Sequence, residues 1–157
     1  MSAPGAGAAP SLTHDVFVSY RRHPPDRPWV TGRFVPALRA AGVRVLLDDD
    51  EFRLGEPLIT AMTRAVEVSR YTVAVLTPRY LQSTFTDLES LMAEHLGLEE
   101  AKVRLIGVMR EPVTPRLSMR LRLRLWLDLT DDVAFDDGVA RLSRELRRPW
   151  SDPAAGP

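Results

Sequence analysis

Glu89 is the residue in this 157-residue chain whose type and setting best suit it to chemistry. It lies in a stretch, Phe85 to Leu96, whose apolar residues Phe85, Leu88, Met92 and Leu96 fall on one face at about 100° per residue, the signature of an amphipathic helix. Glu89 falls beside Phe85 and Leu96, at the edge of that apolar stripe rather than opposite it. A carboxylate held there can support positive charge developing on a substrate. The same residue also completes Thr86-Asp-Leu-Glu89, which matches the capping box S/T-x-x-E. In that motif the glutamate reaches back to an orphan backbone N–H and complements the helix dipole. Both roles are open on spacing alone.

Other polar groupings carry less. The acids Asp48-Asp49-Asp50-Glu51 suggest a divalent cation, but adjacent loop acids usually form a solvated face. Arginines 116, 120, 122 and 124 suggest phosphate or nucleic acid. The formal net charge is zero and no aromatic residues interleave them, so a solvated edge is the better reading. Cysteine is absent, which removes disulfides, thiol catalysis and sulfur-ligated zinc and leans toward the cytoplasm. His14, His23 and His95 share no ligand-like spacing, so no metal is expected. Lys102 is the only lysine, leaving few amines for Schiff-base or P-loop chemistry.

The elements that must position Glu89 alternate. Strands are expected at Asp15–Tyr20, Val43–Leu47, Tyr71–Leu76, Val103–Val108 and, as an edge strand, Leu123–Leu129. Helices are expected from about Thr31 to Ala41 with Gly42 as its stop, after Pro57 at an N1 position, over Phe85–Leu96, and from Asp136 or Asp137 to Arg148. The prolines between Arg21 and Pro28 should keep that segment irregular. This order predicts an α/β fold, a flavodoxin-like five-stranded parallel sheet in the order 2-1-3-4-5 with helices on both faces. Its crevice opens where the winding reverses, at the carboxyl ends of strands 1 and 3. Ser19, Tyr20 and Arg21 should therefore converge with Glu89. Composition marks 1–11 and 149–157 as flexible segments around one domain over 12–148. No run of about 18 apolar residues exists, so no membrane span is expected.

Several chemistries common on such sheets fail on residues. A phospho-acceptor receiver resembles its relatives in an acid pair after strand 1, an Asp closing strand 3 and a Lys closing strand 5. Those places hold Tyr20-Arg21, Thr77-Pro78 and Leu127-Asp128. Neither G-x-G-x-x-G after strand 1, nor a P-loop, nor a G-x-S-x-G elbow is present.

His14-Asp-Val-Phe-Val-Ser-Tyr20 resembles the first signature box of Toll/interleukin-1 receptor (TIR) domains. Leu47-Asp48 running to Gly55 is similar to their BB loop, and Ala61–Leu76 to their second helix and third strand. Ser83-Thr-Phe85-Thr86-Asp-Leu-Glu89 resembles their Ser-x-Trp-Cys-x-x-Glu element, with Phe-Thr in place of Trp-Cys. Leu125-Trp126 resembles the Phe-Trp box. The BB loop departs from that of animal adaptors, holding Phe52-Arg53-Leu54-Gly55 instead of Arg-Asp-x-x-Pro-Gly.

The resemblance, to the bacterial NAD-cleaving type, implies that Glu89 is catalytic in NAD⁺ glycohydrolase or ADP-ribosyl cyclase activity serving defence or virulence signalling. NAD⁺ is then a substrate, and no cofactor is needed. Ser19, Tyr20, Arg21, Asp48 and Phe85 become substrate-binding residues, with Tyr20 and Phe85 flanking a ring and Arg21 neutralising pyrophosphate. Phe52, Arg53, Leu54 and Gly55 become an assembly loop for other TIR domains, up to a filament, with a fused or associated sensor module as a further partner. The alternative is a non-catalytic TIR scaffold that signals by TIR–TIR binding.

Overall fold

The computed structural model describes residues 12–47, 55, 57–113 and 125–148. Five parallel strands form one sheet in the order β2-β1-β3-β4-β5. They are β1 His14–Ser19, β2 Val45–Leu47, β3 Ser69–Leu76, β4 Leu105–Met109 and β5 Leu125–Asp128. The expected 2-1-3-4-5 order is what the chain adopts. Ser19 pairs in register with Ala74, so β1 and β3 end side by side at the reversal of winding.

The period of two along β1 divides the core. Val16 and Val18 face one helical layer with Trp29, Phe34, Leu38, Val139, Leu142 and Leu146. Phe17 faces the other, with Met62, Val66, Leu76, Tyr80, Phe85, Leu88 and Met92. Burial on both faces is why these strands read as continuous apolar runs.

The first helical region starts five residues earlier than the sequence suggests. It runs without a break through α1 Asp26–Trp29, a π-helical turn Val30–Phe34 and α2 Val35–Ala40. Pro28 sits in the first turn, where its missing N–H would have had no partner anyway. Pro36 is accommodated because the preceding turn widens: Val35 N–H bonds to the Val30 carbonyl, five residues back. Gly42, at φ +88°, ends the region as expected.

Further boundaries also move. Pro57 is the N-cap of α3 Leu58–Val68 rather than N1. The crossing after β3, where the sequence reading placed no helix, contains helix α4 Pro78–Ser83, followed by α5 Phe85–Leu96. Val103 and Arg104 belong to helix α6 Leu98–Arg104, not to β4. A short 3₁₀ turn, Asp132–Ala134, leads into α7 Phe135–Arg147. Strand β5 lies at the sheet edge, as its alternating sequence predicts. Among the described residues no helix is long and apolar enough to cross a membrane.

Candidate functional site

A cavity of about 330 Å³ opens at the carboxyl end of β1. Its wall is built by Phe17, Ser19, Tyr20, Arg21, Arg22 and His23 from β1 and the turn after it, by Met62 from α3, and by Ser83 and Thr84 at the α4–α5 junction. Its placement follows from the sheet: strands 1 and 3 end together there, and their connections leave toward opposite faces. Three expected site residues, Ser19, Tyr20 and Arg21, line this one space.

Two side chains in this region lack what their burial demands. Among the described residues, Arg21 Nη1 is shut from solvent with no hydrogen-bond partner. Glu89, 2% exposed, has its Oε2 in the same condition. A buried polar atom left unsatisfied costs about 1–3 kcal/mol. Such groups are rare enough in a folded protein that each asks for a ligand, a partner or a movement to explain it.

The capping explanation for Glu89 does not hold. Helix α5 begins at Phe85, and Thr84 is its N-cap. Thr86 is thus already inside the helix, and Glu89 is the fifth helical residue, past the turn whose N–H groups need capping. The first-turn acid is Asp87, and Thr84 makes no side-chain cap bond. Nor does Glu89 appear on the cavity wall. It is carried by the helix that starts at that wall, but its carboxyl group is buried rather than open to the space.

Phe85 is also a core residue here. It is 2% exposed and lies 6.0 Å, centroid to centroid, from the Tyr80 ring, off the cavity wall. Tyr20 is 2% exposed and serves both the core and the wall. Asp48, Phe52, Arg53 and Leu54 lie outside the described residues. Gly55 is exposed, with φ +82°, a conformation that L side chains rarely adopt.

Polar contacts behind the wall were not expected from the sequence. The Tyr80 hydroxyl donates to Ser19 Oγ at 2.8 Å. Thr77 caps α4 by accepting from the Tyr80 backbone N–H at 3.2 Å, and its hydroxyl donates to Asp26 Oδ2 at 2.9 Å. The signal was present in Thr77-Pro78, a capping hydroxyl followed by proline at the first helical position.

Asp26 also borders a second cavity of about 590 Å³, with Pro25, Arg110, Glu111, Pro112 and Thr130. There Arg110 bonds the Leu129 carbonyl and Asp132 Oδ1 and lies 4.7 Å from the Trp29 ring centroid. Among the described residues no cluster of three or more His, Asp or Glu side chains is placed to hold a metal ion.

The family model for the TIR domain matches residues 16–143. The chain belongs to the TIR domain family. A 103-residue stretch is 27% identical to Toll-like receptor 6 of Bos taurus and 30% identical to that of Mus musculus. That stretch is 66% of this chain but only 13% of either receptor, so the likeness concerns one domain of a much larger protein.

Solved structures share the TIR fold. The TIR domain of the Toll-related receptor TRR-2 from Hydra magnipapillata superposes with a TM-score of 0.68 at 23% identity, covering 87% of this chain and all of that one. A metazoan TIR-STING receptor from C. gigas gives 0.64 at 22% identity, over 95% of this chain and 46% of the receptor.

Proposed function

We propose that this TIR domain cleaves the nicotinamide–ribose bond of NAD⁺, as a glycohydrolase or ADP-ribosyl cyclase, in defence or virulence signalling, and that self-assembly switches it on. The observation that carries the reading is the setting of Glu89. A carboxyl group 2% exposed, with one oxygen unpartnered and no capping role, weakens the fold it sits in. Function is the reason to retain it, and in those members of the family that cleave NAD⁺ the glutamate of this element is the catalytic one.

The chemistry suits a single carboxylate. The nicotinamide leaves as a neutral molecule from a cationic precursor, so no protein nucleophile is needed. The transition state is oxocarbenium-like, as in glycoside hydrolysis. A carboxylate against the ribose supports the developing charge, the more so when water is excluded. Ser19 and Arg21 supply donors for the oxygens of the dinucleotide, Arg21 Nη1 for its pyrophosphate.

Glu89 must come into contact with substrate for this to happen, and in the isolated chain it is buried. A shift of the start of α5, whose preceding residues Ser83 and Thr84 already form the cavity wall, would bring it there. Contact with a second TIR domain through the loop ending at Gly55 is the proposed cause of that shift.

The burial of Glu89 also favours a second reading, a scaffold that signals by TIR–TIR binding alone, and the similarity to Toll-like receptors accords with it. Incubating concentrated protein with NAD⁺ or its fluorescent etheno analogue separates the two. Nicotinamide release that disappears in Glu89→Gln supports the enzyme. Assembly without release, at the highest concentration reached, supports the scaffold.

A further inference from the structure

The turn Tyr20–Pro25 supplies four residues of the cavity wall: Tyr20, Arg21, Arg22 and His23. Both of its ends are fastened to one turn of chain on another element. At the entry, Ser19 Oγ accepts from the Tyr80 hydroxyl at 2.8 Å; at the exit, Asp26 Oδ2 accepts from the Thr77 hydroxyl at 2.9 Å. Thr77 and Tyr80 are joined in turn by the capping bond between the Tyr80 N–H and Thr77 Oγ1. All four side chains are nearly or fully buried: Thr77 and Tyr80 at 0%, Ser19 at 2% and Asp26 at 4%. Away from water such bonds are stronger, and breaking them is costlier.

We propose that Thr77 and Tyr80 are positioning residues for ligand binding: held out of contact with the ligand themselves, they fix the turn that carries the donors of the cavity. Neither lines the cavity. A phenol is a stronger acid than an alkanol, so Tyr80 is the donor of its pair and Ser19 keeps its own proton to give. Among the described residues that proton has no acceptor, and Ser19 lines the open space. Arg21, two residues on, holds Nη1 buried and, among the described residues, unpartnered. Two donors without acceptors on one short segment call for a ligand group with several acceptor oxygens close together, which the pyrophosphate and ribose of a dinucleotide supply. This part rests on the reading of the cavity as a dinucleotide site; the anchoring of the turn does not.

Tyr80→Phe removes one hydroxyl while keeping the ring against Phe85 and the backbone N–H that completes the Thr77 cap. Thr77→Val removes the bond to Asp26, and Thr77→Ser restores it. In hydrogen exchange of the unliganded protein, amides of residues 20–26 should exchange at least about tenfold faster in Tyr80→Phe and in Thr77→Val. They should return to the parent rate in Thr77→Ser, with Phe85–Leu96 unchanged throughout. Under assembly-promoting conditions, Tyr80→Phe should raise KM for NAD⁺ about five- to tenfold and leave kcat within twofold. Unchanged exchange in both variants overturns the proposal, as does exchange that rises equally across Phe85–Leu96. An unchanged KM alongside a loosened turn also overturns it. If the parent cleaves no NAD⁺, the dinucleotide reading has failed, and exchange still decides whether the turn is anchored.

Discussion

Thr84 occupies the N-cap position of the helix that carries Glu89, placing the carboxyl group five residues inside and beneath the surface. A glutamate at that depth is not an N-terminal capping group. Glu89→Gln therefore removes no cap, and Oε2 makes no hydrogen bond to lose. The variant should keep its Tm within about 2 °C of the parent, because Gln has the size of Glu, leaves a polar atom in the same place and costs no hydrogen bond that Oε2 makes among the described residues. NAD⁺ cleavage should fall at least about a hundredfold, a change of about 3 kcal/mol in barrier. Thermal unfolding and nicotinamide release on the same samples check both. A Gln variant as active as the parent would refute the catalytic role.

The opposite end of β1 is held by charge. Asp15, 6% exposed, accepts from the Arg44 backbone N–H at 2.8 Å and from its guanidinium Nη2 at 3.0 Å. Burial pushes the Asp15 carboxyl up, but the hydrogen bonds and charge of Arg44 outweigh it, and the net shift is below the usual carboxylate range. A depressed folded value means the pair stabilises the fold fully above the unfolded value, near pH 4, and this stabilisation is lost as pH falls through the folded one. Asp15→Asn should cost about 1.5–3 kcal/mol at neutral pH and show a shallower loss of stability below pH 4. Urea unfolding at pH 7, 4 and 3 measures this. Parallel pH profiles for parent and variant would refute it.

Gly138, on α7, lies against Leu127 of β5 and Leu129 just past its end. A Cβ there would collide with a methyl of Leu129, while both Leu127 methyls, at 3.8 Å, would be in ordinary van der Waals contact with it. Alanine in place of a helical glycine is ordinarily worth up to about 1 kcal/mol. Leu129 is fully buried, so it cannot swing clear. Overpacking costs about 1–3 kcal/mol and should win. Gly138→Ala should lower stability by about 1 kcal/mol or more in denaturant unfolding, and a stabilised variant would show that Leu129 repacks.

Strand order was legible because each strand here is a short apolar run set off by helix-period segments, and that alternation admits few topologies. The placing of Ser19, Tyr20 and Arg21 on one cavity follows from the same order, but Glu89, expected to converge with them, is not on its wall. The role of Glu89 was not legible, because S/T-x-x-E fits a cap wherever the helix is assumed to start. Two threonines stood ready, and the chain uses Thr84 as the cap position rather than Thr86. The Tyr80–Ser19 and Thr77–Asp26 bonds join residues 61 and 51 apart in sequence. Such pairings exist only once the sheet has formed, so no local pattern announces them. The helix start at Asp26 was hidden by reading the prolines between Arg21 and Pro28 as breakers, although Pro28 falls in the first turn, where proline is tolerated.

The assembly switch is tested by concentration. The loop Asp48–Glu56 combines acids with Phe52 and Leu54, apolar side chains expected at a partner surface rather than in solvent. Gly55, near its end, is exposed at φ +82°, and a Cβ added there would have nothing within 4 Å among the described residues, so a substitution meets backbone strain. Gly55→Ala should cost about 1–2 kcal/mol in that loop conformation alone. A head-to-tail contact through this loop would be heterologous and able to propagate, so on the proposed switch specific activity should climb steeply with protein concentration. Phe52→Ala and Gly55→Ala should move that rise to higher concentration by at least about tenfold, leaving Tm of the dilute protein within about 2 °C of the parent for Phe52→Ala. Measuring activity per mole over a wide dilution series, with light scattering on each sample, follows both quantities together. Activity per mole that stays flat while the protein remains monomeric would rule out assembly as the switch. A rise in scattering without a rise in activity would leave the loop as a TIR–TIR contact and remove its link to Glu89.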